Sequence, residues 1–237
     1  MIELRPFNSL GAADHGWLDA RHHFSFASYH DPERTNWGSL RVWNDDTIAA
    51  GTGFPTHPHN DMEIITYVRK GAITHRDSMG NEGRTEAGDV QVMSAGSGIR
   101  HSEYNHEDED TEIFQIWIIP DERGGEPAWG ARPFPKDDRA GNFVPLASSG
   151  ANDDDAQNGA LPIRSDARVL GATVKAGETV TYTTRDPSRH LYLVPAIGKV
   201  RVEDAEANAR DGIAITQLES ITITALKDSE LVLVDAA

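Results

Sequence analysis

The sequence GTGFPTHPHNDME, residues 51–63, holds two histidines, His57 and His59, with a single proline between them. In a β-strand, residues two positions apart point to the same face. The residues that follow, IITYV at 64–68, are mostly β-branched or aromatic, as strands prefer. This stretch therefore predicts a strand that presents two imidazoles on one side, and imidazole nitrogen is a common metal ligand.

A second stretch repeats the same spacing. The sequence MSAGSGIRHSEYN, residues 93–105, carries His101 and Glu103 two positions apart, after a glycine-containing turn. Glycine permits a tight turn between two strands. If this strand pairs with the first one, three imidazoles and one carboxylate converge on a single point. The two stretches together predict a mononuclear metal site, and its open positions are typical of a catalytic centre.

The composition of the chain restricts the ligands of this site. The sequence contains no cysteine, so any metal must bind nitrogen and oxygen. A set of three imidazoles and one carboxylate suits one divalent metal, which can be Fe(II), Mn, Ni, Cu or Zn. Because the imidazoles bind in the neutral form and the carboxylate in the ionised form, we expect metal affinity to fall at acidic pH.

Glu63 is a further acid whose role the sequence leaves open. If the strand that contains His57 and His59 runs on without a break, Glu63 points to the same face. It is then a fifth ligand, a hydrogen-bond partner of a ligand histidine, or a buried acid beside the substrate.

The remaining histidines and the acidic runs favour structural or solvated roles. Aromatic residues lie between His15, His22, His23 and His30, which indicates a packing layer, while His75 and His106 have polar neighbours and are predicted to be solvated. The acidic runs 107–112 and 152–155 are also predicted to be solvated loops. The first of them lacks the glycine and the ligand spacing of an EF-hand calcium loop.

Strand-like runs dominate the chain, and short β segments between turn signals predict an all-β sandwich or barrel. The predicted strands are 40–43, 64–69, 73–77, 89–94, 101–105, 113–119, 168–170, 179–183, 190–194, 199–202, 212–217, 220–223 and 230–234. Residues 133–162 are rich in Gly, Pro, Ala, Asp and Asn and are predicted to form a linker and surface loops. This segment would separate an N-terminal domain, 1–132, from a C-terminal domain, 163–237. The latter has one histidine, His190, and so cannot repeat the metal site.

The charge of the chain disfavours two classes of partner. The formal net charge is −16, so anionic membranes and nucleic acid would repel the protein. The sequence shows neither a run of 18 apolar residues nor a signal-peptide pattern. We therefore expect a cytoplasmic monomer with no direct contact to nucleic acid or membrane.

The two histidine motifs resemble those of the cupin superfamily. The combination of His-Pro-His in the first motif with His-x-Glu in the second resembles the pirin branch, and so do residues 93–105 as a whole. Three earlier stretches are similar to the pirin amino-terminal signature: HGWLD at 15–19, HFSF at 23–26 and LRVWNDD at 40–46. The resemblance is strong from residue 1 to about residue 120. It implies a bicupin, with two jelly-roll-like β-barrels and a metal, by preference Fe(II), in the N-terminal barrel only.

The pirin resemblance also implies a function. The expected activity is that of a quercetin 2,3-dioxygenase, which opens a flavonol ring between carbons 2 and 3 with O2 and releases carbon monoxide. It favours Glu103 over Glu63 as the fourth ligand, and Glu103 could also accept the flavonol hydroxyl proton as a general base. The residues that bind the substrate are not indicated. The alternative is a non-enzymatic regulator or redox sensor that acts through a protein partner, and flavonol turnover separates the two.

Overall fold

The structure is a computed structural model that describes residues 1–149 and 153–237. Within these residues, helical segments are limited to two 3-10 turns, Phe7–Ser9 and Lys136–Arg139, and one short helix, α1, at Asp153–Gln157. None of the helices among the described residues has the length and apolar character that crossing a membrane requires. Strands make up most of the rest, which confirms the predicted all-β fold.

Every strand predicted from the sequence is present, with ends shifted by a few residues. The strands of the first half are β1 Ile2–Arg5, β2 Gly11–Asp14, β3 Leu18–His22, β4 Leu40–Ile48, β5 Gly53–His59, β6 Glu63–Lys70, β7 Ala72–Asp77, β8 Glu82–Glu86, β9 Val90–Ser94, β10 Ile99–Tyr104, β11 Thr111–Ile118 and β12 Ala128–Arg132. Those of the second half are β13 Val144–Ser149, β14 Leu161–Ile163, β15 Ala167–Val174, β16 Thr179–Thr183, β17 His190–Ile197, β18 Lys199–Val202, β19 Ala205–Asn208, β20 Gly212–Ile215, β21 Ser220–Ala225 and β22 Ser229–Ala236.

The strands form two barrels, each built from one seven-stranded and one four-stranded sheet. The N-terminal barrel has the strand orders β12-β9-β6-β11-β4-β3-β2 and β5-β10-β7-β8. The C-terminal barrel has the orders β1-β20-β17-β22-β15-β13-β14 and β16-β21-β18-β19. The second half of the chain therefore repeats the architecture of the first.

The two seven-stranded sheets pack against each other and share one apolar core. This core includes Ile65, Tyr67 and Phe114 from the first sheet and Tyr192 and Val234 from the second. Strands covered on both faces show no polar alternation, and β6 is accordingly buried along most of its length. Because side chains alternate, odd-numbered residues of β6 face the second barrel and even-numbered ones face the interior of the first.

The interiors of the two barrels differ in polarity. The C-terminal interior is filled by an apolar cluster that includes Leu193, Ile213 and Ile223. The N-terminal interior instead buries polar side chains, among them Thr66, Gln91, His75, His101, Glu103 and Gln115. Burying polar groups costs free energy unless they are paired, so such a concentration marks the N-terminal barrel as the place for a functional site.

The domain boundaries expected at residues 132 and 163 stay a prediction, but the sheet of the C-terminal barrel includes strands from outside residues 163–237. β1, at the beginning of the chain, pairs with β20 in the C-terminal barrel. The expected linker, 133–162, contributes β13 and part of β14 to the same sheet. These strands are short, and β13 contains a proline and small residues in the sequence VPLASS, so the local pattern carried little strand signal.

The second acidic run is not a simple solvated loop. Asn152 lies outside the described residues, but Asp155 is buried in α1. Its carboxylate accepts hydrogen bonds from the Arg168 guanidinium at 2.7 and 2.8 Å and from Ser148 Oγ at 2.6 Å. The prediction of a solvated carboxylate is therefore wrong for Asp155, because nothing in the acidic run itself indicates that Asp155 pairs with Arg168, which lies 13 positions further along the chain on β15.

Candidate metal centre

Two adjacent strands of the four-stranded sheet position the predicted histidines. β5 and β10 pair in antiparallel fashion, and His101 lies directly opposite His57. His59 is opposite Ile99, two residues along the same face. The pairing register shifts between His101 and Glu103, which indicates a β-bulge at this point.

The ring nitrogens of His57, His59 and His101 converge, as the spacing predicts. One nitrogen of each ring lies within 4.8 Å of the others, and no other group of three metal-ligating side chains occurs in the described part of the chain. The Nε2 atoms of His57 and His101 are 3.1 Å apart. For metal–nitrogen bonds of about 2.1 Å, ligands at right angles are separated by about 3.0 Å, so this spacing fits a shared metal ion.

The hydrogen bonding and the protonation of these histidines also suit metal binding. His57 Nδ1 lies 2.7 Å from the Pro55 carbonyl oxygen and donates to it, which leaves the Nε2 lone pair free. Burial, helped by the neighbouring His57, lowers the pKa of His59 to about 4. Burial and the charges of His57 and His59 likewise lower the pKa of His101 to about 2. Both rings are therefore neutral at pH 7, the state that a ligand needs.

Glu103 lies in the barrel interior but outside the group of three histidines. Its Oε1 atom accepts hydrogen bonds from Gln91 Nε2 at 2.6 Å and Thr66 Oγ1 at 3.2 Å. Its Oε2 atom accepts one from Gln115 Nε2 at 2.9 Å. Burial raises the pKa of Glu103 to about 7, and the three donors oppose this shift because they stabilise the carboxylate. The fourth ligand therefore stays a prediction.

Two further hydrogen bonds orient the glutamine amides toward Glu103. Trp117 Nε1 donates to Gln115 Oε1 at 2.9 Å, and Thr85 Oγ1 donates to Gln91 Oε1 at 3.2 Å. Since both amide oxygens are occupied in this way, both NH2 groups face the Glu103 carboxylate. Glu103 is thus held as an acceptor at the centre of a network that ends at Trp117.

The unbroken strand that would bring Glu63 to the metal does not exist. β5 ends at His59, Asp61 adopts a positive φ of 50°, and Glu63 begins β6 in the other sheet. There it shares the odd-numbered face that points toward the second barrel. Its carboxylate accepts a hydrogen bond from Ser94 Oγ at 2.5 Å, and burial raises its pKa. The structure therefore does not favour Glu63 as a fifth ligand, as a hydrogen-bond partner of a ligand histidine, or as an acid beside the substrate.

His75 is buried, and the prediction that it is solvated is wrong. It lies on β7 with 0% exposure, and its Nδ1 atom is 3.5 Å from His101 Nδ1. Its Nε2 atom is 3.1 Å from the Asp77 carboxylate. A signal existed in the sequence, because apolar Ile73 and His75 stand two positions apart in β7 and so share the inward face. The polar residues around His75 led to the prediction of a solvated position in spite of this spacing. His106 is exposed, as expected.

The early histidines are divided between packing and surface positions. His22 and His23 are buried, with His22 bonded to Asn44 and His23 to the Tyr192 hydroxyl at 2.8 Å in each case. His15 and His30 are exposed. This part of the chain thus forms the expected aromatic packing layer through two of its four histidines.

Partly exposed aromatic side chains flank the histidine cluster. The Trp117 ring meets His59 edge to face at 4.9 Å between centroids, and Phe26 meets Trp117 in the same way at 5.4 Å. On the other side, the Phe54 ring is 6.4 Å from His57. Aromatic faces and edges of this kind bind planar apolar groups.

Comparison with known proteins places this architecture in a family. Residues 3–118 match the family model described as Pirin, and residues 151–236 match one described as Quercetinase C-terminal cupin domain. A pirin-like protein from Caulobacter vibrioides is 67% identical over 237 residues, which cover 100% of both chains. The chain belongs to the pirin family. The match of both halves to cupin-type domains also confirms the predicted bicupin fold.

Two further relatives of this pirin carry functional information in their names. Quercetin 2,3-dioxygenase from Escherichia coli K12 is 43% identical over 237 residues, covering 99% of this chain and 98% of the relative. The crystal structure of the bacterial pirin YhhW from Escherichia coli in complex with nickel(II) superposes with a TM-score of 0.91 at 41% identity. This match covers 100% of this chain and 99% of YhhW. A relative with the same fold therefore binds a divalent metal ion.

Proposed function

We propose that this pirin is a metal-dependent flavonol 2,3-dioxygenase that consumes O2, opens the flavonol ring between carbons 2 and 3, and releases carbon monoxide. The observation that carries the proposal is the convergence of the His57, His59 and His101 nitrogens beside partly exposed aromatic rings. The relative from Escherichia coli that is named quercetin 2,3-dioxygenase supports the choice of reaction.

The proposed ligands of one divalent metal are His57, His59, His101 and Glu103. The first three are already together, and Glu103 lies on the same strand as His101, two positions away. We propose Fe(II) on the pirin resemblance, and the nickel(II) complex of YhhW supports a divalent ion at this site. A bound divalent ion supplies a Lewis acid that makes a substrate hydroxyl more acidic.

Glu103 is the proposed general base. It accepts hydrogen bonds only, and its pKa of about 7 is suited to taking up a proton near neutral pH. Gln91 and Gln115 hold its carboxylate in one orientation, so it does not need to reorganise when the substrate hydroxyl loses its proton. Glu103 can act as the general base whether or not it also coordinates the metal.

The aromatic side chains beside the cluster are the proposed substrate contacts. Trp117 and Phe26 lie on the side of His59, and Phe54 lies on the side of His57. A flavonol is planar and largely apolar, so it can stack on or abut these rings while its oxygens approach the histidine cluster.

Metal analysis combined with an aerobic flavonol assay tests the proposal. We expect about one metal per chain and quercetin loss that requires O2 and yields one carbon monoxide per quercetin. His57→Ala should lose most of the metal and the activity because it removes a ligand. His106→Ala is the control, since His106 is exposed and lies outside the cluster.

Two results would contradict the proposal. Full metal occupancy in His57→Ala would refute the ligand assignment. A parent protein that turns over no quercetin with Fe(II), Mn(II), Ni(II) or Cu(II) would refute the dioxygenase and leave the regulatory alternative.

A further inference from the structure

We propose that His75 and Asp77 are positioning residues that fix the tautomer of His101 and thereby strengthen metal binding at its other nitrogen. The two side chains form a buried hydrogen-bonded chain from a carboxylate through His75 to His101. The inference rests on the proposed metal centre, which it extends from the ligands to the groups behind them.

The geometry allows only one self-consistent placement of protons along this chain when His101 binds a metal. His101 directs Nε2 to the cluster, so its Nδ1 carries the proton. The facing atom, His75 Nδ1, lies 3.5 Å away, the long end of the hydrogen-bonding range, and must be the acceptor. His75 Nε2 then carries its own proton and donates it to Asp77 Oδ2 at 3.1 Å. Every donor in the chain has an acceptor.

The Asp77 carboxylate, at the end of this hydrogen-bonded series, is itself held in place. Asp77 Oδ1 accepts hydrogen bonds from the backbone N–H groups of Met79 and Asn81 at 2.9 and 3.0 Å. Its Oδ2 atom accepts a third from Asn81 Nδ2 at 2.9 Å. These donors keep the carboxylate ionised and point it at His75, so it can polarise the imidazole toward His101.

The His75 ring is also fixed by packing. It stacks on the Trp129 ring with centroids 4.9 Å apart and an angle of 9° between the planes. Trp129 in turn lies against Gly83, where an added Cβ would come within 2.3 Å of the indole. Since Trp129 and Asp77, which both contact the His75 ring, are themselves fixed, His75 presents Nδ1 to His101 in one orientation.

Nickel(II) affinity, measured by competition with a chelator at pH 7.5, tests the inference. His75→Phe keeps a ring that can stack on Trp129 but removes the acceptor, and we expect affinity to fall about 10- to 100-fold. His75→Gln retains an oxygen that can accept from His101 and an NH2 that can donate to Asp77, so we expect it to recover most of that loss. Asp77→Asn removes the charge and should weaken affinity to an intermediate degree.

The control is His106→Phe. His106 stacks on Tyr104 at an angle of 12°, as His75 does on Trp129. His106 is exposed, however, and is not part of the hydrogen-bonded series from Asp77 to His101. We expect its nickel affinity to match that of the parent. A second readout is the tautomer of His101 in metal-free protein, seen by long-range nitrogen–proton NMR, which should show the proton on Nδ1 in the parent and in His75→Gln but a mixture of tautomers in His75→Phe; the same mixture in the parent would overturn the inference.

The outcomes separate failure of the inference from failure of the metal centre. If folded His75→Phe binds nickel as tightly as the parent, or if His75→Gln is as weak as His75→Phe, the positioning role is wrong while the centre stands. If His75→Phe does not fold, Asp77→Asn decides, and unchanged affinity there overturns the inference. A parent that binds no nickel refutes the centre and the inference together.

Discussion

Glu103 shows how single side chains balance the cost of burying charge. Taking a carboxylate out of water is unfavourable, and its raised pKa reflects that cost. Three donors, from Gln91, Thr66 and Gln115, offset part of the cost. An apolar barrel would be simpler to stabilise, as the C-terminal one demonstrates. The polar interior is therefore best explained by the chemistry proposed for it.

Replacing Glu103 by glutamine separates its two proposed roles. Glutamine keeps an oxygen donor but removes the charge and the basicity, so we expect turnover to fall about 100-fold or more, the scale of losing a general base. Some metal should remain, because three histidines persist. Turnover is measured on metal-loaded protein, with oxygen-dependent quercetin loss in the parent as the reference. Equal activity in parent and variant would show that Glu103 is not the base.

The same variant tests coordination through the pH dependence of metal affinity. With a pKa of about 7, Glu103 holds a proton below pH 7, and a metal that binds its carboxylate must displace that proton. Parent affinity should then fall by up to about tenfold more per pH unit below pH 7 than that of Glu103→Gln. Above pH 7 the two profiles should run parallel. Parallel profiles over the whole range, measured by chelator competition, would exclude Glu103 as a ligand.

At the scale of elements, the close pairing of β5 with β10 brings the histidines together. Gly53 allows it, because a Cβ at this position would lie 2.3 Å from the Glu103 carbonyl oxygen and 2.5 Å from Tyr104 Cα. These are backbone atoms and cannot move aside alone. Any side chain at Gly53 must therefore separate the strands beside the bulge that sets the positions of His101 and Glu103.

We expect Gly53→Ala to destabilise the protein by about 1–3 kcal/mol, as overpacking does, and to weaken metal binding. The matched control is Gly130→Ala on β12, where the nearest atom to an added Cβ is Leu161 Cδ2 at an ordinary 3.5 Å. This change should be neutral or slightly stabilising. Thermal unfolding and nickel titration of both variants check the prediction. A Gly53→Ala protein as stable as Gly130→Ala would contradict it.

At the scale of the whole molecule, the two barrels are joined by more than their shared core. Arg5, on β1, is fully buried and lies over the rings of Phe24, Trp37 and Tyr192 at 5.3 to 5.8 Å. These rings come from both halves of the chain. The first strand thus ties the beginning of the chain to the C-terminal barrel.

We expect the full chain to unfold in a single thermal transition, because the two seven-stranded sheets bury their core against each other. Deleting residues 1–5 should lower the midpoint by several degrees, since it removes β1 and the buried arginine. Calorimetry checks both points. Two separate transitions in the full chain would contradict the shared-core interpretation.

Elements with a strong local period can be predicted from the amino-acid sequence alone. Strand alternation alone places His57 with His59, and His101 with Glu103, on common faces, and the β-rich pattern predicts the fold class. Such signals are local, because they arise from backbone geometry within one strand.

Which strand faces come into contact depends instead on the tertiary fold. The break after His59 turns Glu63 toward the second barrel, and the pairing of β7 with β10 brings His75 behind His101. The pairing of β1 with β20 joins residues more than 200 positions apart. Each depends on strand register and sheet packing, which are set by the sum of many distant contacts, so no short stretch of sequence carries the information.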